Sequence, residues 1–239
     1  PVDWHATLMI ALEAAKLAGD PAARAWFLPG GHPPGPERHL PNPALLATYR
    51  AIAEEGPAAV YGGRIGEAMA ADLQAGGSHL TLDDFRAYEV AEFDASATTH
   101  RGHTVYTAGP TSGGPRLADA LAHVAAHLDP GRGVGAHAWA TYADALNLAF
   151  RRHQQRLGRT PPDAGCTSHL SAVDADGNMV ALTYTLLNRF GSGVVLPRTG
   201  VLMNNSVAYF DPRPGYPTTM RGHLKINASN MCPTVAVKD

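Results

Sequence analysis

Cysteine is nearly absent: Cys166 and Cys232 are the only two in 239 residues. Neither belongs to a C-x-x-C pair, and two thiols cannot build the disulfide framework of a small secreted domain. Charge is also scarce, at 17% of residues, with a formal net charge of -2. That balance excludes a polybasic surface for nucleic acid and an acidic solvating tail. No apolar run approaches the roughly 18 residues of a membrane-spanning helix, so neither nucleic acid nor membrane is expected as a partner. No signal-peptide pattern is visible. The chain opens at Pro1 without a methionine, so its natural start is expected upstream. The compartment stays open between cytoplasm and periplasm or exterior. With 45% hydrophobic residues, the chain can bury a substantial core in one large domain or two small ones.

The first half carries helical patterning. Trp4 to Leu17 places Leu8, Leu12 and Ala15 on one face. Residues 29–43 hold six prolines and three glycines, the composition of an exposed loop. Helices are expected over 44–54 and 57–74, the second opening on Pro57 and ending at Gly76-Gly77. Thr81 and Asp84 predict a capped short helix reaching about Tyr88. Strand alternation follows at 93–98 and 104–107. The small-residue turn Pro110 to Pro115 then leads into a helix over about 116–128. Ala136 to Leu157 is the longest helical stretch, with Trp139, Tyr142, Ala145, Leu146 and Ala149 expected to face inward.

Beyond Gly165 the pattern is mostly β. Leu170 and Ala172, then Val180, Leu182, Tyr184 and Leu186, alternate around Asp174-Ala175-Asp176-Gly177-Asn178 as a hairpin would. Residues 201–203 and 234–237 are further strand candidates. The expectation is a helical N-terminal part packed on a sheet drawn largely from residues 93–239.

Histidine is plentiful, at twelve residues, but His123 and His127 supply only the four-residue spacing of a metal half-site, without H-E-x-x-H or a third ligand. Gly131-Arg132-Gly133-Val134-Gly135 lacks dinucleotide-loop spacing and reads as a link between helices. The Thr111-Ser112-Gly113-Gly114 turn opens a helix, a place where an anion can bind, although such turns more often pack on their own sheet. No metal and no cofactor are expected. The most specific stretch is Cys166-Thr167-Ser168-His169-Leu170-Ser171. A threonine that becomes a chain terminus can act as nucleophile, with its own amine as base; the reference pKa of such an amine is about 7.7–8.0.

Several further blocks run in step with this one. They are Tyr61-Gly62-Gly63-Arg64-Ile65, Leu80 to Tyr88, Arg101-Gly102-His103, Pro110 to Gly114, Leu182 to Leu186, Phe190-Gly191-Ser192-Gly193, Gly200 to Asn205 and Met231-Cys232-Pro233-Thr234. On these blocks the chain resembles the γ-glutamyltransferase family of N-terminal-nucleophile (Ntn) hydrolases. The resemblance implies an α+β fold of the αββα sandwich type. It also implies self-cleavage of the Cys166–Thr167 bond, giving a large-subunit-like segment 1–166 and a small-subunit-like segment 167–239, both partial. The implied chemistry starts with the Thr167 hydroxyl attacking the Cys166 carbonyl. That shift frees the Thr167 amine, hydrolysis of the resulting ester restores the hydroxyl, and the same hydroxyl later forms an acyl-enzyme with a substrate amide. Thr185 matches the threonine that orients the nucleophile. A thiol is the intrinsically better nucleophile, so cleavage before Cys166 is the rival reading; the register of the resemblance favours Thr167. Cys232 reads as a buried small hydrophobe.

The departures bear on the substrate. Where members of the family grip a γ-glutamyl α-ammonium with Asn, then Gln or Glu, then Asp, this chain has Leu187, Ser206 and Tyr209, with Asn188 one residue late. A serine pair for the substrate carboxylate becomes Ser229-Asn230. Without a carboxylate at these positions, an ammonium held in a closed site would cost several kcal/mol, roughly. The expected enzyme therefore takes a small amide or peptide-like substrate whose acyl group carries a carboxylate or another acceptor and no α-amine. Its partners are its own processed subunits, and a homo-oligomer is left open. The alternatives are a true γ-glutamyltransferase (glutathione hydrolase), with Asn188 and Tyr209 rebuilding the amine site, and a catalytically dead relative that binds. The connections at 158–165 and 210–227 are short for the family. The glycine pair of its oxyanion hole and its substrate-binding arginine are expected outside residues 1–239.

Overall fold

In a computed structural model of the chain, the described residues are 1–158, 165–220 and 229–238. They form two compact units, one comprising 1–91, 165–166 and 186–205, the other 92–158, 167–185, 206–220 and 229–238.

The first unit is helical: α1 (Trp4–Leu12), α2 (Ala14–Leu17), α3 (Pro21–Phe27), α4 (Pro43–Glu55), α5 (Arg64–Ala75) and α6 (Leu82–Arg86). Local chemistry sets where these helices start. The side chains of Asp3, Asp20 and Asn42 accept from the backbone N–H three residues on, at 2.6, 2.7 and 2.9 Å. Proline occupies the first turn of α3 and α4, where no N–H is needed. Thr81 and Asp84 complete a capping box on α6. As expected, 29–43 is mostly irregular up to the start of α4.

Two helices differ from expectation. The stretch 4–17 breaks at Glu13, so Ile10 and Leu17 are buried while Leu8 and Leu12 stand 45% and 59% exposed. Over 57–74, Pro57–Ala59 makes only a 3-10 turn, and Gly62 at φ 113° interrupts the chain before α5. Glycine takes this conformation without strain, and the break there keeps the periodic pattern from becoming one helix.

Segment 186–205 threads through this helical unit on polar fastenings. Asp20 accepts from the Val195 N–H at 3.2 Å, and Thr48 donates to the Thr199 carbonyl at 2.8 Å. Asn42 donates to the Gly200 carbonyl at 3.1 Å. Asp72 accepts from the Arg198 N–H at 2.9 Å and pairs with its guanidinium at 3.1 Å. Val195 then joins Ile10, Leu17, Ala23 and Phe27 in one core cluster, and Leu196 joins Ala51, Ile65 and Met69 in another. Residues 201–203, expected as a strand, contribute only the bridge of Leu202 to Val195.

The second unit contains β1 (Ser96–His100), β2 (His103–Thr107), α7 (Gly114–His127), α8 (Ala136–Leu157), most of β3 (Gly165–Val173) and β4 (Met179–Asn188), and β5 (Thr234–Lys238). One antiparallel sheet runs β1-β2-β5, with Ser96 opposite Thr107 and Thr107 opposite Thr234. β3 and β4 form a separate two-stranded sheet. α7 packs on α8 and on β1. Phe93 lies outside the strand expected there and is exposed.

α8 has the expected bounds, and Ala145 and Ala149 are buried as expected, but the rest of the buried face differs. Ala138, Thr141, Ala145, Ala149, His153 and Leu157 are inside, while Trp139 and Leu146 are exposed at 65% and 62%. Small side chains let helices approach closely, so the buried stripe lies one residue round from the bulky one. On that stripe His153 is held below the ordinary histidine range, first by burial and then by the charges of Arg116 and Arg156.

Two outcomes are expected. Asn42→Ala removes a helix cap and the tie to Gly200, and should cost about 1–2 kcal/mol, read as a lower denaturation midpoint that Asn42→Ser largely restores. The unfolded chain takes up a proton at residue 153 near pH 6.5 while the folded chain resists it, so stability should fall as pH drops through about 6.5. His153→Leu should flatten that slope in melts run from pH 8 to 5.

Candidate active site

The β3–β4 hairpin is set by its turn. The Asp174 carboxylate accepts from the backbone N–H of Asp176 at 3.0 Å and of Asn178 at 2.9 Å, and from the Asn178 side-chain amide at 2.8 Å. Gly177 takes φ 84°, which the turn requires and a side chain would resist. The Asn178 amide, then its backbone N–H, hold Asp174 below the usual carboxylate range.

The turn fixes the register of the strands. The Asp174 N–H donates to the Asn178 carbonyl at 3.1 Å. Five residues further from the turn, His169 Nδ1 meets Thr183 Oγ1 at 2.6 Å. Both contacts fit one pairing, and its extension sets Thr167 opposite Thr185. Alternation puts Thr167, His169 and Ser171 on one face with Thr183 and Thr185. Cys166 and Thr167 are exposed on β3 and Thr185 is half-buried on β4. The opposite face carries Leu170, Val180, Leu182 and Tyr184, each roughly half exposed.

A second group of candidates gathers elsewhere in the same unit. Ser206 and Tyr209 share the 3-10 turn Ser206–Tyr209. Tyr209 is buried, which raises its phenol above the ordinary value, while the Asn230 backbone N–H on the phenol partly offsets the rise. The Ser229 N–H donates to the Thr111 carbonyl at 2.9 Å, and its hydroxyl accepts from the Met231 N–H at 3.3 Å. Gly113 donates to the Met231 carbonyl at 2.9 Å, so the small-residue loop before α7 is bound to the strand entering β5. A Cβ at Gly113 would collide with the Asn230 carbonyl and the Cys232 side chain. Arg116 reaches the Asn230 carbonyl at 3.4 Å and lies over the Phe150 ring, 5.1 Å from its centroid. Sequence reasoning passed over Arg116 and His169. Arg116 follows directly on the Gly-Gly-Pro turn, and His169 is two residues from Thr167, which were the available signals.

Asn188 belongs to the helical unit, where its N–H donates to the Asn205 side chain at 3.0 Å. Its neighbour Leu187 is 5% exposed with φ 74°. That left-handed conformation suits Asn better than a branched hydrophobe, and Asn is the residue expected there in the γ-glutamyl-specific pattern. His123 and His127 stack at 4.1 Å, and no His/Cys/Asp/Glu group able to hold a metal occurs among the described residues. The glycine-rich 131–135 stretch is indeed the connection from α7 to α8. No helix among the described residues is long and apolar enough to cross a membrane. Parts of the short connections at 158–165 and 210–227 fall outside the described residues.

The fold is shared with a solved cephalosporin acylase from Bacillus halodurans, at TM-score 0.80 and 21% identity over 100% of this chain and 51% of that one. This defines the class: an α+β fold of the Ntn-hydrolase type. The gamma-glutamyltranspeptidase family model matches residues 1–161 and 152–239. Curated relatives include Glutathione hydrolase 3 of Arabidopsis thaliana, 29% identical over 96% of this chain and 44% of its own length. They also include the Acylase ACY 1 proenzyme of Pseudomonas sp. (strain V22), 28% identical over 95% of this chain and 47% of its own. The chain belongs to the gamma-glutamyltranspeptidase family and spans about half the length of these relatives.

If Asn178 anchors the hairpin turn, Asn178→Ala should raise the Asp174 pKa toward the ordinary carboxylate value. A carboxylate-detected NMR titration would read the shift.

Proposed function

We propose that this chain carries the scissile bond and nucleophile of a self-processing amidohydrolase or acyltransferase without strict γ-glutamyl specificity. The observation that carries the reading is the hairpin register, in which Thr167 falls opposite Thr185. Directly opposed side chains on an antiparallel pair lie about 4.5–5.5 Å apart at Cβ, close enough for one threonine hydroxyl to orient the other.

In maturation, Thr167 Oγ attacks the Cys166 carbonyl carbon and the C–N bond breaks, leaving an ester. Breaking the C–N bond frees the Thr167 amine, and water then cleaves the ester, giving a Cys166 carboxylate and restoring the Thr167 hydroxyl. In turnover that amine takes the hydroxyl proton as Oγ attacks a substrate amide, and passes it to the departing amine. The acyl ester ends on water or on an acceptor amine. Both compact units draw residues from either side of 166–167. Cutting that bond therefore leaves each unit's interior contacts bridging the two pieces, which keeps segments 1–166 and 167–239 together as subunits.

The substrate reading rests on charge. Leu187 is buried and apolar where an amide would be needed to hold an ammonium. Arg116 stands beside Asn230, adding a cation to the hydrogen-bonding capacity of Ser229-Asn230. This favours an acyl group ending in a carboxylate, such as a glutaryl amide. A γ-glutamyl substrate is the second reading, favoured by relatives named glutathione hydrolase and by Asn188.

Intact-mass spectrometry of the full-length gene product tests the core of the proposal. Two fragments meeting at 166–167 are expected, and a single uncut chain for Thr167→Ala. A cut that persists in Thr167→Ala would overturn the assignment of the nucleophile. With matched anilides, glutaryl should be turned over at least about ten-fold more efficiently than γ-glutamyl, since a buried unpaired ammonium costs more than 1.4 kcal/mol. The reverse preference would establish the second reading.

A further inference from the structure

The imidazole of His169 stands two residues from Thr167 along β3, yet the chemistry above leaves it unused. Both of its ring nitrogens are occupied: Nδ1 meets Thr183 Oγ1 across the hairpin at 2.6 Å, and Nε2 meets Ser171 Oγ along β3 at 3.1 Å. Each hydroxyl can donate or accept, so a neutral ring satisfies both partners in either tautomer.

We propose that His169 is a positioning residue that holds Thr167 in register with Thr185, an inference that rests on Thr167 being the nucleophile. A two-stranded hairpin is only marginally stable alone, and slipping by one residue would turn Thr167 to the opposite face. The Asp174 turn fixes register at one end. The scissile end lies seven residues away, beyond the reach of that turn's hydrogen bonds. The His169 ring ties β3 to β4 two residues from Thr167, on the face Thr167 shares. With both nitrogens engaged, the ring acts as a clamp, and proton transfer falls to the Thr167 amine.

The amide of Asn reaches the Nδ1 position and that of Gln reaches the Nε2 position, so the two substitutions separate the two bonds. In the full-length protein, His169→Asn keeps the cross-strand tie and should retain self-cleavage and kcat within about two-fold. His169→Gln, His169→Ala and Thr183→Val lose that tie, and each should fall about ten-fold in both rates with KM nearly unchanged. His169→Ala combined with Thr183→Val should be no worse than either alone, because both remove one interaction. Backbone amide exchange at Thr183 and Thr185 should quicken in His169→Ala, a readout independent of activity.

Unchanged rates and unchanged exchange in His169→Ala would overturn the proposal. Equal losses in His169→Asn and His169→Ala would also overturn it, by making the ring itself the proton carrier. Where His169→Ala fails to fold, the comparison of Asn with Gln decides, and equal rates overturn the clamp. A Thr167→Ala protein that still cuts itself would instead sink the reading of the nucleophile, leaving the exchange measurement to judge the clamp.

Discussion

The register of one hairpin governs the candidate chemistry. Side chains on a strand alternate with a period of two, so a single-residue slip exchanges one face for the other. On β3 and β4 that exchange would replace a face of hydroxyls and an imidazole with one of Leu170, Leu182 and Tyr184. The Asp174 carboxylate makes three hydrogen bonds within the turn, and Gly177 supplies the left-handed residue. The turn thereby sets the register at the closed end of the hairpin.

The helical unit relies on a different device. Its helix caps do double duty: Asp20 and Asn42 cap α3 and α4, and the same side chains bind the backbone of 186–205. That segment is otherwise irregular, with one isolated bridge. Its polar backbone is satisfied by side chains that also start helices, which allows Val195 and Leu196 to enter two cores. β4 runs directly into this segment, with Leu187 near its end in a left-handed conformation.

Much of this was legible before any coordinates. The capping signals at Thr81 and Pro43, the bounds of α8 and the Asp-Ala-Asp-Gly-Asn turn are local features, settled within a few residues. The block around Thr167 carried the family, and the matched family agrees with it. Faces were read less well. The faces read on 4–17 and on α8 included Leu8, Leu12, Trp139 and Leu146, which are exposed, beside Ala145 and Ala149, which are buried. The stripe that packs is chosen by the neighbouring helix, and close approach rewards alanine over tryptophan.

The candidate site divides in the same way. Sequence alone determined which residues are chemically able to act: a threonine ahead of a hairpin, a second threonine on the returning strand, and Leu187, Ser206 and Tyr209 in place of an ammonium cage. The residues are written in the covalent chain, and these roles are what its resemblance to the family implies. Only the tertiary structure decided that Tyr209 meets the Asn230 backbone N–H, that Arg116 reaches the Asn230 carbonyl from α7, and that His169 spends both nitrogens on Thr183 and Ser171. The cross-strand and cross-element partners are 14 to 114 positions apart, and hydrogen bonds over such spans depend on how strands and helices pack, which no local pattern encodes.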